Sequence, residues 1–417
     1  MSRWHLRALN PSRSPLARDE PVTETENAKE KAMTTILEGV TTGAQSGTRY
    51  PIIDADVHPD FNPAKPGVMS RLPQRWREYA AEWGLTRGGS PGGDRPRHRE
   101  FAHRWDTEPP EGGAPMSNPD FAREQLLDKY DITAAMLNDI SGYMFNGSRN
   151  TPRGLADAMC RAMNEDREES WFAIDERWHG AINTPYEIPE LAVAEIQRRM
   201  DSPYRDRWNL ISFAPDNMNP PGHEKYYPIY EIAQEYNIPI SMHVLAAHRV
   251  TASGSPTYYF EEHCDWGAYN FPNISSLVYE GVFDRFPNLK FALVELAWSW
   301  AVPLAWRLDN AYDLMSSELP DLQRRPSEYI ADHFWYTTQP MEEPEKPEWF
   351  ADVFEAFEAS GMGDKLLYSS DYPHWDFDEP SALPASLSQA QRRAILGENA
   401  SALFGIPLKP GSGAVID

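Results

Sequence analysis

The stretch Tyr50-Pro-Ile-Ile-Asp-Ala-Asp-Val-His58 decides how the rest of the chain is read. It opens on apolar residues and closes on acids and a histidine, so it reads as a short buried strand whose polar groups sit at its far end. Side chains at i and i+2 of a strand share a face. Asp56 and His58 are therefore expected side by side, with Asp54 pointing the same way one pleat earlier.

The same kind of segment recurs along the chain. Asp131-Ile-Thr-Ala-Ala-Met-Leu-Asn138, His179-Gly-Ala-Ile-Asn-Thr-Pro185, Asn209-Leu-Ile-Ser-Phe-Ala-Pro215 and Pro239-Ile-Ser-Met-His-Val244 read as strands two to five. Leu289-Lys-Phe-Ala-Leu-Val-Glu295, Phe334-Trp-Tyr-Thr-Thr338 and Lys365-Leu-Leu-Tyr-Ser-Ser-Asp371 read as strands six to eight. Helical text separates them: a capped helix over Asn118–Tyr130, then Glu187–Met200, Tyr226–Tyr236, about 273–283, Pro303–Ser316, Pro347–Ser360 and a closing helix over Gln389–Ile395. Strands alternating with helices make βαβ units and a parallel sheet. Eight such strands predict an α/β protein, a closed (β/α)8 TIM barrel. A polar stretch rich in Gly, Pro and Arg, residues 84–118, interrupts it after strand one as a long insertion, read equally as a lid over a site or as a tolerated extra loop. The expected organisation is a flexible leader over residues 1–48 and one metal-dependent barrel domain over 49–417.

Composition limits what this barrel meets. The chain has 417 residues with 39 Lys+Arg against 63 Asp+Glu, a formal net charge of −24. That charge argues against nucleic acid and against an anionic membrane as partners. No apolar run approaches the ~18–20 residues that span a bilayer, and the N-terminus lacks the apolar core of a secretory signal. Two cysteines, Cys160 and Cys264, exclude a multi-disulfide framework and a four-cysteine zinc site. A cytoplasmic setting is the simplest expectation.

Catalytic groups of such barrels come from the C-terminal ends of the strands. Strand one ends in Asp56-Val-His58, strand five in His243, strand six in Glu295 and strand eight in Asp371. Four strands delivering His or carboxylate to one end of a barrel is hard to explain as packing and points to a metal site. A mixed His/carboxylate set suits Zn2+, Mn2+ or Fe2+ better than an all-oxygen Ca2+ cage. His248, His374 and, more weakly, His263 are candidates for proton transfer or substrate contact. Arg249 is a candidate for binding a substrate carboxylate through two parallel hydrogen bonds. Trp266, Trp298, Trp300 and Trp375 fall in or near strand-end loops and are candidates for an aromatic pocket wall.

Ile53-Asp-Ala-Asp-Val-His58, His243 and Ser370-Asp-Tyr-Pro-His374 together resemble the amidohydrolase superfamily. The closer likeness is to its amidohydrolase-related branch (family 2), which includes aminocarboxymuconate semialdehyde decarboxylase and aromatic acid decarboxylases. Phe286-Pro-Asn-Leu-Lys290, the run from Trp300 to Asp309, and Thr337-Thr-Gln-Pro340 support it, and the resemblance covers about residues 50–407. It implies a metal-dependent barrel with Asp56, His58, His243 and Asp371 as ligands to one divalent transition metal ion per chain, Zn2+ first, with Mn2+ or Fe2+ as alternatives. Asp56 stands where many members have the first histidine of a His-x-His pair. Strand four carries Ser212-Phe-Ala214 and no lysine that could bridge two ions, which favours a mononuclear site. Where the branch often has a histidine after strand six, this chain has Glu295.

The resulting expectation is a metal-dependent carboxy-lyase that decarboxylates a small, aromatic carboxylic acid. The alternative is a hydrolase of an amide, lactone or other acyl bond using metal-activated water. Asp371, Glu295, His248 and His374 are the catalytic candidates; Arg249, Trp298 and Trp375 are the substrate-binding ones. The partner is a small molecule, and the resemblance implies a homo-oligomer, a dimer.

Overall fold

Eight parallel strands follow one another around a single sheet: β1 Ile53–Val57, β2 Ala134–Leu137, β3 Trp178–Ile182, β4 Trp208–Phe213, β5 Ile240–His243, β6 Phe291–Val294, β7 Phe334–Thr337 and β8 Leu366–Leu367. Every sequential pair is hydrogen-bonded neighbours. The ring closes between first and last: Ala55 N–H donates to Tyr368 O at 2.9 Å, His58 N–H to Tyr372 O at 2.9 Å and Asp371 N–H to Asp56 O at 3.2 Å. This is the expected TIM barrel with helices outside it. The computed structural model describes residues 49–60, 66–83, 103–139, 151–213, 219–244, 257–409 and 412–415. These all lie in one compact unit, Gly47–Asp417. The expected leader, residues 84–102 of the expected insertion, and residues 245–256 with His248 and Arg249 lie outside the described residues.

Alternate strand residues face inward. Ile53 and Ala55, Ala134 and Met136, and Ala292 and Val294 meet in a buried apolar cluster. Ala400, Leu403, Phe404 and Ile406 of the closing helical segment floor that cluster. A second, larger core packs the outer faces of the strands against the helices, with Trp178, Trp208, Tyr230 and Phe291 fully buried in it. Apolar burial on both faces explains why the strands read as continuous hydrophobic runs.

Two local features depart from the expected pattern. β1 advances from Asp54 to Val57 while its neighbour advances only from Ala135 to Leu137, a β-bulge. Ala55 can then stay with the interior cluster while Asp56 and His58 face the mouth. Asp54 does not join them, which corrects the expectation from strict alternation. Its Oδ1 instead accepts the N–H groups of Asp56 (3.2 Å) and Ser370 (2.9 Å), bracing the seam between β1 and β8.

The helix expected over 273–283 is two helices, Phe271–Tyr279 and Val282–Arg285. They are parted at Gly281, whose φ of 66° is left-handed and ends a helix. Residues 153–167 add a helix outside the expected alternation. It buries Leu155, Met159 and Met163, spaced at i, i+4 and i+8. Among the described residues no helix is long and apolar enough to cross a membrane.

Candidate functional site

Asp56 and His58 arrive from the end of β1, His243 from the end of β5, Glu295 just past β6, and Asp371 and His374 past β8. All but His374 are buried. The ring nitrogens and carboxylate oxygens converge. His58 Nε2 lies 2.7 Å from Asp371 Oδ1, 3.3 Å from Asp56 Oδ2 and 3.9 Å from Glu295 Oε2. His243 Nε2 lies 3.4 Å from Asp56 Oδ2 and 3.3 Å from Glu295 Oε2. Asp56, His58, His243 and Glu295 form one group able to hold a metal ion, and His58, Glu295, Asp371 and His374 form an overlapping one.

Both histidines are oriented from behind. His58 Nδ1 is 3.0 Å from Asn138 O and His243 Nδ1 is 2.6 Å from Val244 O. A carbonyl oxygen only accepts, so each Nδ1 carries the hydrogen. In the neutral ring Nε2 then presents its lone pair to the carboxylates, the arrangement a metal-ligating histidine needs. Asn138 does more: its Nδ2 donates to Asp56 Oδ1 at 2.7 Å and to Ala55 O at 3.1 Å. The sequence reading missed this residue, although it ends strand two just as the other candidates end theirs.

Glu295 and Asp371 both sit at φ 57°, a left-handed backbone that costs a non-glycine residue about 1–3 kcal/mol and persists only where the surroundings hold it. Here Glu295 N–H donates to Thr337 Oγ1 at 3.0 Å and Asp371 N–H to Asp56 O. The turned backbone sends the Glu295 carboxylate into the cluster, where its ion-pair partners are His58 and His243.

The electrostatics of the cluster without a cation are divided. Burial opposes charge on Asp56, His58, Glu295 and Asp371. For Asp56, His58 and His243 outweigh burial and hold the carboxyl well below its ordinary range. For Asp371, His374 and His58 outweigh burial and lower the carboxyl from its ordinary value. Burial disfavours the charged His58 ring, but Asp56 and Asp371 outweigh it and hold its pKa well above the ordinary value. Burial, reinforced by Asp371, pushes Glu295 well up. Asp371 Oδ2 is buried with no hydrogen-bond partner among the described residues. Clustered acceptor atoms, an unbonded carboxylate oxygen and two rings whose Nδ1 atoms are held by backbone carbonyls fit a divalent transition metal ion.

The remaining candidates separate. His374 Nδ1 lies 2.7 Å from Asp371 Oδ1, and its ring packs 4.7 Å from that of His58. The described end of the insertion reaches this point: His103 bridges to His374, their rings stacked at 6.1 Å, and Arg104 N–H donates to Pro373 O at 3.0 Å. Trp375 is half exposed and packs against Phe260 and His263.

Trp298 is 0 % exposed and packs edge-on against Phe350, Phe354 and Phe357. It belongs to the core beneath the helix Pro347–Phe357, which corrects its assignment to substrate binding. Trp300 likewise packs against Phe271 and Tyr336 while its indole donates to Leu296 O at 2.7 Å. His248 and Arg249 lie outside the described residues.

Comparison with known proteins agrees with this geometry. Residues 53–406 match the model of the family described as Amidohydrolase. No curated protein matches the chain in sequence. Among solved structures, an amidohydrolase from Mycobacterium avium subsp. paratuberculosis is similar with a TM-score of 0.62 at 20% identity, over 87% of this chain and 99% of that one. A dihydroxybenzoic acid decarboxylase from a Polaromonas species, holding manganese and the inhibitor 2-nitroresorcinol, is similar with a TM-score of 0.57 at 19% identity, over 86% and 97%. A 5-carboxyvanillate decarboxylase from Novosphingobium aromaticivorans, complexed with manganese and a nitrobenzoic acid, is similar with a TM-score of 0.63 at 16% identity, over 88% and 98%. At these identities the structural likeness establishes the fold.

Proposed function

Because the chain belongs to the amidohydrolase family, we propose that it is a metal-dependent carboxy-lyase acting on a small aromatic carboxylic acid without an oxidant. The observation that carries this reading is the pair of imidazoles whose Nδ1 atoms are tied to backbone carbonyls while their Nε2 atoms meet three carboxylates within 2.7–3.9 Å. Asp56, His58, His243 and Asp371 would hold one divalent ion, with Glu295 as a further carboxylate ligand. Zn2+ suits the mixed nitrogen and oxygen donors, and Mn2+ is the ion found in both decarboxylases compared above. When bound, the ion supplies a Lewis acid and a template for the substrate carboxylate or an adjacent hydroxyl.

The chain's own residues supply the rest. Decarboxylation needs a proton at the ring carbon that loses CO2: the C–C bond breaks and its electron pair returns to the ring. Asp371, ionised beside its histidines, would take a proton from solvent and deliver it to that carbon. Its Oδ1 is held by His374 Nδ1 at 2.7 Å, which leaves Oδ2 for the substrate side. Trp375 offers a face for the ring, and the buried strand ends exclude water from beneath it. The global charge of −24 does not forbid an anionic substrate, since a divalent ion offsets these carboxylates locally.

The test has two parts. Purified protein should bind about one transition metal ion per chain, the open-site stoichiometry of a single catalytic ion, and Asp56→Ala and His243→Ala should each lose it. The loaded protein should release CO2 from members of a panel of hydroxybenzoates and related carboxylated aromatics. Silence across that panel, with turnover of amides or lactones, would replace this reading by the hydrolase one.

A further inference from the structure

Beside the metal-type cluster lies a second polar arrangement that the reading above does not use. His263, on the short helix Tyr259–Asp265 that follows β5, places Nε2 at 2.8 Å from Asp376 Oδ2. Gln339, just past β7, donates from Nε2 to the same oxygen at 2.6 Å and to Asp376 O at 3.3 Å. Asp376 follows β8, five residues after Asp371 and next to Trp375. One carboxylate therefore joins the segments that follow three different strands. Both partners are largely withdrawn from solvent, with side-chain exposures of 13% for His263 and 15% for Asp376, so their bond is not a screened surface contact. Aromatic rings close around the histidine, Trp266 at 4.3 Å and Trp375 at 5.6 Å. The Asp376 charge also acts on Glu295, so this arrangement borders the cluster.

Loop segments around a barrel mouth are the parts that vary in position, and a substrate ring needs a wall that stays in place. We propose that His263 is a positioning residue: through Asp376, itself clamped by Gln339, it pins the segment after β5 to the segment after β8 and fixes Trp375 as the wall that receives a planar aromatic substrate. The clause about the substrate rests on the carboxy-lyase reading; the clause about the pinning does not. No proton transfer is assigned to His263. Its bond to Asp376 sets where the two segments stand, and the indole beside Asp376 follows.

The experiment uses the full-length protein loaded with Mn2+ and two variants, His263→Ala and His263→Gln. The glutamine amide places an N–H near the position of the imidazole Nε2 and is the rescuing replacement. Hydrogen exchange followed by mass spectrometry reads the pinning directly. In His263→Ala, amide protection should fall about tenfold or more in both 257–266 and 374–378, and in His263→Gln it should return toward the parent. Binding of 2-nitroresorcinol, followed by indole fluorescence, should weaken about tenfold in His263→Ala, with metal content unchanged. Turnover should show a raised KM with kcat held within about twofold, the signature of lost positioning in ground and transition states alike.

Unchanged protection at 374–378 in His263→Ala overturns the pinning. Lost protection with undiminished nitroresorcinol affinity overturns the role of Trp375 as the wall. Parent protein that binds no nitroaromatic and decarboxylates nothing defeats the carboxy-lyase reading, and with it the aromatic wall, while the exchange result still decides the pinning on its own.

Discussion

Asn138 shows how much a single side chain carries at this site. Its backbone oxygen orients His58 and its side-chain amide holds Asp56. Alanine keeps the first bond and deletes the second, leaving a buried carboxylate oxygen with one donor fewer. Asn138→Ala is expected to weaken metal affinity by about 10–100-fold and to cost about 1–3 kcal/mol of stability; metal titration by calorimetry and urea unfolding measure the two separately. The ligand candidates Asp56, His58, His243 and Asp371 were legible because a polar residue ending an apolar strand has few other reasons to be there. Glu295 was legible by the same rule, but its inward aim depends on a left-handed φ that no residue type in the run Val294-Glu-Leu-Ala297 announces. Asp54 was misread because a bulge is a property of two paired strands and one strand's sequence cannot display it. Trp298 was misread because proximity to a strand end says nothing about which layer a large ring fills.

At the scale of the element, all eight strands were readable because burial on both faces leaves little but apolar text, but their ends were not: the expected Lys365–Asp371 is Leu366–Leu367 and the expected Asp131–Asn138 is Ala134–Leu137. The helix 153–167 was passed over because its apolar positions are diluted by Arg153, Asp157, Arg161 and Glu165 on its other side. The N-terminal half of β3 supports a prediction of its own. His179 is almost wholly buried, with Nδ1 donating to Asn209 Oδ1 at 2.6 Å, and Asn209 Nδ2 in turn donates to Phe404 O at 3.0 Å. The network ties β3 through β4 to the closing helical segment. Burial lowers the imidazole pKa from 6.5 to about 4. The unfolded chain then binds the extra proton between those values, so the stability contributed by neutral His179 is complete above about pH 6.5 and is lost as pH falls toward 4. The full loss is about 3 kcal/mol. Urea unfolding at pH 7 and pH 4.5 should show this decline in the parent and a shallower one in His179→Gln.

For the molecule as a whole, five buried acid or imidazole groups share one small volume, and the fold brings them together without a neutralising lysine or arginine bonded to them among the described residues. A cation that binds only the folded state adds stability by mass action. Chelation is therefore expected to lower Tm by several degrees and re-addition of Mn2+ or Zn2+ to restore it, as read by scanning calorimetry. In Asp56→Ala, which lacks one of the proposed ligands, Tm should no longer respond to the metal.

The seam between the first and last strands has a consequence for how the protein comes into being. Asp56 O receives the N–H of Asp371, so the donors from β1 and from the loop after β8 share a border although they are separated by most of the chain. A nascent polypeptide still lacking its final strand holds Asp56, His58 and His243 without the neighbour that closes the ring. Long-range pairing of this kind forms late, after the intervening loops have paid their closure entropy. Synthesis from the N-terminus therefore leaves the full set of candidate donors, with Asp371, to the end of translation. A released fragment stopping short of β8 would lack Asp371 and the backbone bonds that close the ring.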